Sequence, residues 1–260
     1  MSGPVDDTLR FALEAARELS WPELALARGA LTEPSTSGPL LELGAPLPPP
    51  ADPHSTRPRI AVVADRQAIV AAPTSSHAVV GLTRALPFAH KSVAGGILSL
   101  SLLERRDLAP SLAELVRVVE PGGPVVVTAL LRGTFGELAD LLVEAAEQED
   151  LPGLRGAVLD GREEDPSLEA LARRASEAGV VVVEQGHVEL LLSYTDGAAV
   201  VQDPFVRAAV LPMLLPERES IFLPPSVLSR LARAVDTYFD GQPFTLTLHV
   251  GVVRGETRVS

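Results

Sequence analysis

Apolar residues along this chain follow two rhythms, one of short unbroken runs and one of helical spacing. Leu40 to Gly44 (LLELG), Arg59 to Asp65 (RIAVVAD), His77 to Leu82, Val93 to Leu103 and Val125 to Leu131 are apolar runs. Without regular polar alternation, they suit strands covered on both faces. Leu112, Leu115, Val116 and Val119 fall at helical spacing instead, and Pro121-Gly122-Gly123 stops that helix. The same period predicts helices over Phe135 to Gln148, Pro166 to Ala178 with Gly179 as its cap, Asp203 to Leu215 and Pro225 to Phe239. Glu149 to Asp165, with several Gly and Asp residues, reads as a loop. Val180 to Glu184 reads as a strand, Val188 to Tyr194 as a second strand or a helix start, and Phe244 to Arg254 as a long last strand. Leu9, Leu13, Ala16, Leu19, Leu24 and Leu26 suggest one or two helices between Asp6 and Leu31, and Arg66 to Ala72 allows a short one. Strands alternating with helices predict an α/β fold, a parallel or mixed sheet covered by helices.

One segment breaks the pattern. Ala45 to Pro58 (APLPPPADPHSTRP) holds six prolines in fourteen residues. Proline lacks the amide donor and clashes with the preceding turn, so this stretch is a loop or an extended segment.

Composition narrows the function classes. The 260 residues are 46% hydrophobic, enough for a substantial core. No run of about 18 apolar residues occurs, so no membrane span is expected. The N-terminus lacks a basic flank followed by an apolar centre, and a cytoplasmic location is the default expectation. With no cysteine there is no disulfide, thiolate metal site or cysteine nucleophile. A net charge of -12 argues against nucleic acid as a partner, because few cations are available to displace its counterions. Lys91 is the only lysine, a bias that base composition of the gene explains as well as function does.

Polar constellations are sparse. His54, His77, His90, His187 and His249 show no HxxxH or HxH spacing, so the sequence supports no metal site. No Gly-x-Ser-x-Gly elbow or phosphate-binding GKS or GKT loop occurs. Arg105-Arg106-Asp107 could line a ligand site after the fourth strand, although a solvated charge cluster at a helix start accounts for it better. Glu184, His187 and Glu189 form the one polar group beside an apolar run that could serve as acid or base. Val188 to Pro225, rich in Leu, Val, Ala and Pro, reads as a cap-like apolar region suited to contacts with a protein partner or a second copy.

The stretches LPF (Leu86 to Phe88), SVAGGILSLSLLE (Ser92 to Glu104) and LAELVRVVEPGGPVVVT (Leu112 to Thr128) resemble the second half of class I S-adenosylmethionine-dependent methyltransferases. LLELG and IAVVAD resemble that family's first two strands, EAGVVVVE its sixth and FTLTLHVGVVRG its seventh. The resemblance therefore covers about Leu40 to the C-terminus. It implies a Rossmann-like, seven-stranded mixed sheet over residues 40 to 260, preceded by an N-terminal helical segment over residues 1 to 39.

Carried over residue by residue, the resemblance implies three cofactor-facing positions: Gly44 in the turn after the first strand, Asp65 on the ribose hydroxyls and Leu82 near the adenine amine. The family's glycine-rich turn is reduced here to Gly44, followed by Ala45, Pro46, Leu47 and Pro48. Leu82 and Ala94 stand where the family commonly has carboxylates. Two functional readings follow. One is a degenerate methyltransferase-fold protein, without cofactor or catalytic residues, acting as a protein-interaction, scaffolding or regulatory module. The other is an active S-adenosylmethionine-dependent methyltransferase on a small molecule. The substitutions favour the first.

Overall fold

A computed structural model of the chain describes residues 27–28, 30–31, 37–44, 57–63, 77–99, 108–215 and 223–259. Its strands are β1 (Leu40–Leu43), β2 (Arg59–Val63), β3 (His77–Val80), β4 (Gly95–Ser99), β5 (Pro124–Leu130), β6 (Val180–Tyr194) and β7 (Phe244–Thr257). They form one seven-stranded sheet in the order β3-β2-β1-β4-β5-β7-β6. Neighbouring strands from β3 to β5 run parallel, and β7 is antiparallel to β5, from Pro124 opposite Glu256 to Leu130 opposite Val250. This is the Rossmann-like sheet of class I methyltransferases. β1, β4 and β5 are buried along their whole length, as unbroken apolar runs in a parallel sheet require.

Two compact units are distinguished. Among the described residues, the sheet unit comprises those from 27 to 130, Ser167–Val188 and those from 250 to 259, and the helical unit Leu131–Pro166 and Glu189–His249. In the sheet unit, α1 (Leu108–Val118) joins β4 to β5 and buries Leu112, Leu115 and Val118. It lies so close to β4 that a Cβ on Gly96 would stand 2.6 Å from Leu115 Cδ1 and 3.3 Å from Leu41 O, so a larger residue there would displace the Leu115 side chain. Helical residues Ala27 and Ala30, with Leu31, pack against Ile97, Val126 and Val252. They are the described part of the expected N-terminal helices; the rest, and the expected helix over Arg66 to Ala72, lie outside the described residues.

The helical unit contains α2 (Gly136–Gln148), α3 (Pro152–Glu164), α5 (Gly197–Gln202), a π-helical turn (Val206–Val210) running into α6 (Leu211–Leu214), and α7 (Pro225–Phe239). The remaining helix, α4 (Leu168–Glu177), belongs to the sheet unit, where the Ser167 hydroxyl caps it by accepting from the Ala170 amide at 3.2 Å.

Three expectations need correction. The stretch from Glu149 to Asp165 is not a loop: most of it is α3. Pro152 sits at the first helical position, where its missing amide costs nothing, and Leu154, Ala157 and Val158 are buried at helical spacing. Their burial outweighs the roughly 1 kcal/mol that each interior glycine costs a helix. Arg162 to Asp140 at 2.5 Å and Arg155 to Glu147 at 2.7 Å tie α3 to α2. Next, Val180 to Tyr194 is one continuous strand, so the cap-like region from Val188 begins in β6 and turns helical only at Gly197. Last, the helix over Asp203 to Leu215 is interrupted by the π turn. Leu211 donates to Val206 O, five residues back, and the next residue, Pro212, has no amide with which to continue an α ladder.

Candidate functional site

In open parallel sheets, ligands bind beyond the carboxyl ends of the strands. Gly44 closes β1 there with φ of 90°, a left-handed conformation that disfavours any side chain, and it is buried. Leu82 follows β3 in a tight turn closed by the Ala85 amide on Leu82 O at 3.0 Å. Its side chain is 48% exposed. Ala94, fully buried just before β4, donates its amide to Pro39 O at 2.9 Å. Asp65 and the Arg105-Arg106-Asp107 cluster lie outside the described residues.

The acid of β1 is committed elsewhere. Glu42 is 2% exposed; its Oε1 accepts from Arg28 Nε at 2.8 Å and Arg59 Nη1 at 3.1 Å, and its Oε2 from an Arg28 Nη at 2.8 Å. The fork-on-carboxylate geometry of Arg28 is the strong bidentate kind. It fastens the helical residues around Arg28 to the sheet beneath them. A single acid inside LLELG was the signal for this; a charge in a fully buried strand must be paired.

The segment after β3 is clamped to α1. Thr83 Oγ1 accepts from the Ser111 hydroxyl at 2.8 Å, and Glu114 accepts the Leu86 amide at 2.7 Å. Arg117 donates to Leu86 O at 3.1 Å and Phe88 O at 3.0 Å while pairing with Glu114 at 2.6 Å. The hydrogen bond from Arg117 holds the Glu114 carboxyl below its usual range. The Glu and Arg of LAELVRVVEPGG thus brace the LPF backbone, which is a structural role.

The polar group Glu184, His187 and Glu189 does not act as one acid-base set. Glu184 pairs with Arg254 at 2.9 Å, whereas Glu189 faces His249 Nδ1 at 3.5 Å. His187 is exposed. His249 enters from β7, far along the chain, and only the strand pairing brings it near. In the helical unit, half-buried Tyr194 lies beside Asp203, and burial together with that carboxylate pushes its hydroxyl far up, so it stays protonated. Asp203 also caps the following helix, accepting from the Phe205 amide at 2.6 Å.

The fold is that of class I methyltransferases, and solved structures share it. The YcgJ protein from Bacillus subtilis aligns with a TM-score of 0.54 at 13% identity, covering 91% of this chain and 97% of that one. A candidate methyltransferase from Bacillus halodurans aligns with a TM-score of 0.55 at 10% identity, covering 91% and 98%. The [4+2]-cyclase SpnF aligns with a TM-score of 0.50 at 11% identity, covering 91% and 80%. At such identities the likeness concerns the fold alone. No protein-family model and no curated protein sequence matches the chain. Among the described residues, no helix is long and apolar enough to cross a membrane.

Proposed function

We propose that this chain is a degenerate methyltransferase-fold protein that works as a protein-interaction, scaffolding or regulatory module without methyl transfer. The observation that supports this lies at the carboxyl ends of the parallel strands. The described residues there include Gly44, Val63, Val80, Gly81, Leu82 and Ser99, and none of these carries a carboxylate. A nucleoside cofactor brings a ribose diol and an adenine amine, and each buried polar group left unpaired costs about 1–3 kcal/mol. The prolines after Gly44 add to the case, since they supply no amides to a ligand. That the same fold includes a protein named a [4+2]-cyclase agrees with the rule that fold alone does not set activity. On the interaction side, Val80 and Leu82 stand 43% and 48% exposed at the outer strand β3, apolar surface suited to a protein partner or a second copy.

The test is calorimetric titration of the full chain with S-adenosylmethionine and S-adenosylhomocysteine. No heat of binding is expected up to millimolar ligand, and micromolar binding of either overturns the proposal. The second reading, an active small-molecule methyltransferase with Gly44 and Asp65 on the cofactor, is favoured by the positive φ of Gly44, which leaves backbone open to close approach. Micromolar binding in that titration supports it.

A further inference from the structure

We draw no further inference here: the strongest candidate, the outer edge of the sheet along the part of β6 that belongs to the sheet unit, with Val181 52% and Val183 61% exposed, is an unpartnered apolar surface, and nothing in the structure shows what covers it.

Discussion

Replacing Glu42 by alanine should be among the most damaging single changes in the sheet unit. The carboxylate is 2% exposed, and its partners Arg28 and Arg59 are 16% and 14% exposed, so its loss takes from both guanidinium groups a shared carboxylate that little water can replace. Removing one member of a buried pair costs about 3–5 kcal/mol, mostly because the remaining charge is stranded. For a chain of this size, each kcal/mol shifts the melting temperature by about 2–4 °C, so the expected drop is about 6–20 °C. Urea unfolding monitored by circular dichroism gives the loss, provided the slope with denaturant is unchanged. A loss below about 1 kcal/mol for Glu42→Ala, the range of exposed pairs, would refute the argument that this triad is desolvated.

Two further predictions concern the sheet unit. The Glu114 carboxyl titrates below its ordinary value of 4.5 in the folded state, chiefly through its hydrogen bond from Arg117. Its contribution is therefore complete above about pH 4.5 and fades as pH falls through the lowered value. Urea midpoints measured across this acid range should fall more steeply for the native chain than for Glu114→Gln, and parallel curves would contradict the clamp. Gly96→Ala should destabilise by about 1–3 kcal/mol through overpacking against Leu115. A neutral result in thermal unfolding would mean that α1 shifts away from β4 freely.

The elements that could be read from sequence are those whose burial is local and periodic. β1, β5, α1 and α7 follow directly from apolar runs or helical spacing, because strands buried on both faces and amphipathic helices write their environment into neighbouring residues. α3 was hidden because its two glycines and several charges look like a loop, while the burial of Leu154, Ala157 and Val158 depends on tertiary neighbours that local propensity does not see. The π turn was hidden for a related reason: it needs the accident of Pro212 one residue beyond the turn. Continuity of β6 through Gln185-Gly186-His187 could not be read either, since this exposed stretch has no apolar alternation to mark it.

The candidate site separates into what the sequence can carry and what only the fold can assemble. The LPF and ELVR stretches are legible as a family pattern, and their residues Glu114 and Arg117 are spent on bracing backbone carbonyls, so selection for the fold alone would keep them. The positions that the resemblance assigns to a cofactor, those around Gly44 and Leu82, are where the pattern is altered. Glu42 behaves in the same way as the clamp: the acid of β1 is retained, but two arginines of the chain itself hold its oxygens. A buried carboxylate matched by internal cations stabilises the fold whether or not a ligand binds beyond the strand ends, so its presence in β1 is explained by folding alone.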